Sequence, residues 1–171
     1  MSEYIFEESL ISDIIQGELP RGVTQCLDQL SVMGDISEEN FIDRFEKMKR
    51  AGGYYIIVIE NDEKRVVATG TLFVEMKFIR GCGKAGHIED IVVHDSQRGK
   101  SFGKKIIEQL KDIGSKVDCY KIILDCKEHN VPFYNKCGLE RKEVQMAYYY
   151  NEEKKNQNLH VGNGVLSKEK E

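Results

Sequence analysis

The chain has 171 residues, enough for one sizeable core and too few for two ordinary domains. Apolar residues make up 40% and charged residues 32%, a globular rather than disordered balance. A formal net charge of −4 leaves no overall basic footprint for nucleic acid, yet 25 Lys and Arg leave room for a local cationic pocket. No stretch approaches the roughly 20 apolar residues of a membrane helix. The first eight residues carry acids where a signal peptide has a basic and then an apolar run, so a cytoplasmic protein is expected. The five cysteines, Cys26, Cys82, Cys119, Cys126 and Cys137, are odd in number and form no C-x-x-C pair. They read as structural thiols, not as a disulfide framework or zinc ribbon, and no metal is expected.

In chain order, residues 4–10 read as a short strand and residues 22–30 as a helix with Val23, Leu27 and Leu30 at helical spacing. Ser37 suits the N-cap of a second helix that presents Phe41, Ile42, Phe45 and Met48 on one side and ends at Gly52 and Gly53. Residues 54–59 form a strand, turned by Asn61, Asp62 and Glu63 into a long strand over 65–78 with a bend expected near Gly70. A glycine-rich loop spans 80–86, a strand 87–93, and a loop over 98–103 leads into a helix carrying Ile106, Ile107, Leu110 and Ile113 and stopping near Gly114. A strand over 120–126, a short helix over 131–137 and a last strand over 139–150 follow. We expect one mixed α/β domain over residues 1–150 and a polar tail over 151–171.

The segment from Ile91 to Lys104 joins a β-branched strand to an amphipathic helix through a turn rich in glycine and basic residues. Unpaired backbone N–H groups at a helix start can cradle an anionic phosphate. Gly99 and Gly103 permit close backbone approach, while Arg98, Lys100 and Lys104 add charge. An ordinary solvated strand-to-helix turn is the plainer alternative. The segment lacks the G-x-x-x-x-G-K-[ST] spacing of a nucleoside triphosphate loop. Further on, Asn130, Pro132 and Gly138 suit the start and end of a short helix that carries Tyr134.

The run Arg98-Gly99-Lys100-Ser101-Phe102-Gly103 resembles the R/Q-x-x-G-x-G/A signature of the GNAT acetyltransferases, with Ser101 in place of the middle glycine. Residues 130–139 resemble a second GNAT pattern, N-A-x-x-F-Y-x-K-x-G-F. Within that superfamily, residues 86–93, 119–126 and 133–138 look like the glucosamine 6-phosphate N-acetyltransferase family, and the resemblance spans roughly residues 27–146. It implies a GNAT fold, with a central mixed, mostly antiparallel sheet flanked by helices, and a homodimer whose subunits share the substrate pocket.

The resemblance also implies residue roles. Acetyl-CoA would be held by Ile91, Val92 and Val93, by Arg98, Gly99, Lys100, Ser101, Phe102 and Gly103, and by Asn130 and Tyr134. Tyr134 would stabilise or protonate the departing thiolate, and Asp125 would help bind and deprotonate the acceptor amine. The acceptor would meet Ser31, Lys77, Phe78, Ile79, Arg80, Glu89, Asp90, Ile91, Tyr120, Lys121 and Asp125. Neighbouring strand residues face opposite sides, so Glu89 and Asp90 can share a pocket only across a bulge or splay; otherwise they are solvated surface acids. Tyr134 as a core aromatic and Asp125 as a turn cap are the plainer alternatives. Tyr149 stands where a basic phosphate ligand is expected, and tyrosine brings no charge. Other small amines as acceptors, a non-catalytic acetyl-CoA-binding module and a Cys126/His129 thiol hydrolase are the rival functions.

Overall fold

The computed structural model describes residues 22–150, so the strand expected at 4–10 and the tail at 151–171 lie outside the described residues. Its first helix, α1 (Val23–Asp28), buries Val23 and Cys26, one turn apart; Leu30, expected on the same face, is instead exposed beyond the helix end. Helix α2 (Glu38–Ala51) starts where the Ser37 hydroxyl accepts from the Asn40 amide at 3.2 Å and stops at Gly52. Glu38 and Glu39 near its start, with Lys49 and Arg50 at its end, match the helix dipole. Its apolar side is only half-covered, since no residue of α2 is buried.

Strand β1 (Tyr54–Glu60) turns into β2 (Val66–Met76) at Asn61, whose side-chain oxygen accepts from the amides of Glu63 and Arg65. A tight left-handed turn over Ile79–Cys82 then leads to β3 (Lys84–Val93). This strand begins three residues before the expected position because Lys84, Ala85 and Gly86 pair with β2. Helix α3 (Phe102–Lys116) follows and packs on β1, β2, β3 and β4. It runs two residues past Gly114, which is no stop signal: an added Cβ there would meet Ile122 Cδ1 at 2.6 Å, so the glycine lets helix and strand approach. Strand β4 (Cys119–Ile123) ends earlier than expected, and α4 (Val131–Lys136) closes the ordered core.

The sheet order is β1-β2-β3-β4, antiparallel for the first three strands and parallel between β3 and β4, as expected for a mixed, mostly antiparallel sheet. One face carries the core, with Leu72, Ile88, Ile106, Ile107 and Leu110 at its centre. The strand expected over 139–150 is not formed. A strand exists only where its backbone pairs with a neighbour, and this segment is largely exposed, including Val144, Met146 and Tyr148. The chain divides into two compact units, Met1–Arg141 and Lys142–Glu171. All five cysteines are free; Cys26 and Cys137 are buried, whereas Cys82 and Cys126, read with the others as structural thiols, are exposed.

Two irregularities shape the sheet. Thr69 pairs with Val92 and Thr71 with Glu89, so Gly70 alone opposes both Asp90 and Ile91. That is a β-bulge, and it takes the place of the bend foreseen in the long strand. Asp90 adopts φ 53°, a left-handed conformation that Asp tolerates better than most residues. Second, the β3–β4 ladder ends at His87 and Ile123, and no pairing continues between the strands beyond that point. Gly70 leaves no room for a side chain: an added Cβ would lie 2.5 Å from Ile91 Cδ1 and 2.6 Å from Ile106 Cγ2. Gly70→Ala is therefore expected to destabilise the fold by about 1–3 kcal/mol through overpacking, measured by urea unfolding.

Candidate active site

A cavity of about 590 Å³ opens where β3 and β4 part. Ile91, Val92 and Val93 line it from the strand side, and Asn130, Phe133 and Tyr134 from the side of α4. Its third wall is the turn into α3, with Arg98, Gly99, Ser101, Phe102 and Gly103. Ten of the eleven residues that the resemblance implies for the cofactor thus face one space. Lys100 is the exception: it does not line the cavity, and its ammonium donates to Gln97 Oε1 at 2.6 Å.

The turn suits an anion for local reasons. Helix α3 has no side-chain cap, so its first N–H groups are left for a ligand, and Arg98, Lys104 and Lys136 line the same cavity. Gly99 adopts φ 80°, and a Cβ placed there would meet nothing within 4 Å, so the backbone faces open space. Gly103 serves packing: its missing side chain admits Phe133 Cζ, which a Cβ would approach to 3.2 Å. The residue in place of the signature's middle glycine, Ser101, is held at φ 59°. A serine reaches that conformation at a cost a glycine does not meet.

The α4 start is not capped as expected, because the Asn130 side chain makes no capping bond; Pro132 sits in the first turn, where its missing N–H costs nothing. Lys111 on α3 donates to the Cys137 carbonyl at 2.8 Å and ties the end of α4 to the core. Tyr134 is half-buried, edge-on to Phe133 at 5.0 Å between ring centroids. Burial pushes its phenol above the ordinary range, and the neighbouring thiols of Cys126 and Cys137 add to the shift. The phenol therefore stays protonated through neutral and mildly alkaline pH.

The acceptor candidates fall on the other side of the bulge. Glu89 and Asp90 are both exposed and consecutive on β3; Glu89 is the last residue paired with β2 before the bulge, and Asp90 enters it. Burial raises the Glu89 carboxyl above its ordinary value, with the charges of Asp90 and Asp125 adding, while His87 opposes the shift. Glu89 thus feels the charges of both Asp90 and Asp125. The Arg80 guanidinium lies 5.8 Å from the Tyr120 ring centroid and the Lys121 ammonium 5.9 Å from it. Lys77 pairs with Glu75, whereas Phe78 and Ile79 are exposed at the turn and Ser31 is exposed after α1.

One residue of the cavity, Gln29, carries no sequence signal, whereas Lys136 and Cys137 fall in the motif around Tyr134 and Leu30 on the expected first helix. Gln29 Oε1 accepts from the Asp95 amide at 2.9 Å across 66 positions. That bond fastens the short 3₁₀ turn Asp95–Gln97 to the end of α1.

Two outcomes follow from this geometry. Ser101→Gly is expected to stabilise the protein by about 0.5–1 kcal/mol in urea unfolding, by relieving the left-handed backbone. Glu89 has a raised carboxyl, so its contribution to stability is full below the ordinary value of 4.5 and is lost as pH rises through the folded value. Glu89→Gln should therefore raise the unfolding midpoint at pH of about 7 and leave it unchanged at pH of about 3.5.

Residues 24–139 match the Acetyltransferase (GNAT) family. The chain is 52% identical over 134 residues to glucosamine 6-phosphate N-acetyltransferase 1 of Dictyostelium discoideum, covering 77% of this chain and 85% of that one. It is 44% identical over 132 residues to the glucosamine 6-phosphate N-acetyltransferase of Arabidopsis thaliana, covering 76% and 89%. A crystal structure of the Arabidopsis thaliana enzyme superposes with a TM-score of 0.75 at 45% identity, covering 77% of this chain and 90% of that chain. The match runs through the parted strands, the phosphate turn and the helix bearing Tyr134 alike, and on that ground the chain belongs to the GNAT acetyltransferase family.

Proposed function

We propose that this protein transfers the acetyl group of acetyl-CoA to the amine of D-glucosamine 6-phosphate, giving N-acetyl-D-glucosamine 6-phosphate and CoA, a step towards UDP-N-acetylglucosamine. The observation that carries the reading is the cavity shared by the turn into α3, the end of β3 and Tyr134, with Glu89 and Asp90 on β3 and Asp125 just past β4 near enough for their charges to act on Glu89. The likeness to the Dictyostelium and Arabidopsis enzymes supports the choice of acceptor.

In this reading the turn from Arg98 to Gly103 and the start of α3 hold the pyrophosphate of acetyl-CoA, and the backbone of Ile91 to Val93 aligns the arm that bears the thioester. A bulge leaves its extra residue outside the ladder, and a backbone N–H of this strand polarises the acetyl carbonyl. The amine loses a proton to these acids, Asp125 foremost, and its nitrogen bonds to the carbonyl carbon. As the carbon–sulfur bond breaks, the Tyr134 phenol gives a proton to the departing sulfur. The chemistry calls on no metal.

Arg80, Lys121 and Lys77 supply cations for the sugar phosphate in place of the basic group that Tyr149 replaces, with Ser31, Phe78, Ile79 and Tyr120 completing the acceptor site. We further propose a cytoplasmic homodimer with a shared acceptor pocket and a catalytic domain over residues 1–150. The half-covered apolar side of α2 and the exposed Met76, Phe78 and Ile79 support the dimer. No helix among the described residues is long and apolar enough to cross a membrane.

Thiol release from acetyl-CoA, measured with glucosamine 6-phosphate, glucosamine, spermidine and a peptide as acceptors, tests the reading. Strong preference for the phosphorylated amino sugar is expected; equal use of glucosamine would discard the phosphate specificity, and no thiol release with any acceptor would favour a binding module. Tyr134→Phe should lower kcat by about 10²-fold while leaving the KM for acetyl-CoA nearly unchanged.

A further inference from the structure

Where β2 ends, one carboxylate oxygen serves two partners. Glu75 Oε2 lies 2.5 Å from Lys77 Nζ and 3.0 Å from His87 Nε2. Glu75 is on β2, His87 on β3, and Lys77 is the first residue after β2. The three side chains are partly shielded, with exposures of 37%, 29% and 29% for Glu75, His87 and Lys77. The His87 ring stands beside Phe73, its cross-strand partner, at 6.2 Å between centroids. The Lys77 backbone is pinned too, since its amide donates to the Gly83 carbonyl at 2.9 Å.

A lysine side chain is long and loses much rotamer freedom when it is fixed on a ligand. Here the fixing is done before any ligand arrives. Lys77 spends one donor on Glu75 and keeps two for an anion. The carboxylate in turn is steadied by a ring packed against the sheet, so the ammonium is referenced to two strands and not to the exposed turn that follows. Glu75 is not among the residues expected to meet the acceptor.

We infer that Glu75 is a positioning residue for acceptor recognition: buttressed by His87, it holds the Lys77 ammonium where the phosphate of the amino sugar docks. This rests on the acceptor reading above, in which Lys77 meets that phosphate. It acts through reach and not through charge, because a carboxylate's charge alone would repel a phosphate.

The two contributions separate in paired variants of the full-length protein. Glu75→Asp keeps the charge and shortens the reach; Glu75→Gln keeps the reach and an acceptor oxygen and removes the charge. Kinetics are measured with glucosamine 6-phosphate and with glucosamine. Glu75→Asp should raise the KM for glucosamine 6-phosphate by about tenfold, with kcat, the KM for acetyl-CoA and kcat/KM for glucosamine unchanged. Glu75→Gln should stay within about threefold of the parent protein, and Glu75→Asp should add nothing in a Lys77→Ala background. Equal losses with both acceptors, a lowered KM in Glu75→Gln, or an unchanged KM in Glu75→Asp while Lys77→Ala raises it, would overturn the inference alone. A parent protein indifferent to the phosphate, or a Lys77→Ala variant with unaltered KM, would instead overturn the acceptor reading and take this inference with it.

Discussion

The bulge in β3 is the constraint on which the rest of the site depends. One residue of β2, Gly70, must face two of β3, Asp90 and Ile91, and only a residue without a side chain fits between Ile91 and Ile106. The mismatch changes which way successive side chains of β3 point. Before it, Glu89 and Asp90 stand exposed as an acidic pair; after it, Ile91 to Val93 border the cavity. A regular strand would divide these residues between two faces of the sheet and leave the acids apart.

The second element is the end of pairing between β3 and β4. The parallel pairing of β3 and β4 ends at His87 and Ile123. The start of α3 lines the cavity from one side and Tyr134 from the other. Helix α4 has six residues and could not hold its place by its own hydrogen bonds. It is held by packing, through Phe133 against Gly103 and through Lys111 on the Cys137 carbonyl. The same packing that shields the phenol raises it further above its ordinary value.

Charge is sorted along the site. Arg98, Lys104 and Lys136 line the cavity, whereas Glu89 feels the charges of Asp90 and Asp125. The raised carboxyl of Glu89 follows from partial desolvation, to which the like charges of Asp90 and Asp125 add. A small net charge for the whole chain conceals this separation.

How much was legible in the sequence follows the range of the forces involved. Ser37, Asn61 and Gly99 act within a few residues of themselves, so the cap of α2, the β1–β2 turn and the open glycine turn before α3 could be read from spacing. The motif around Tyr134 was legible in the same way. Gly114 misled because a packing glycine and a helix stop look alike in one dimension, and the segment 139–150 misled because alternating apolar residues make a strand only beside a pairing edge. Gln29 on Asp95 and Glu75 between Lys77 and His87 had no local signature. The amino-acid sequence by itself determined most of the helices and strands and the local turns between them, because these rest on neighbours in the chain. Only the tertiary structure decided the register that creates the bulge, the parting of the strands and the partners of the charged groups, because each depends on contacts between residues that the chain brings together only on folding.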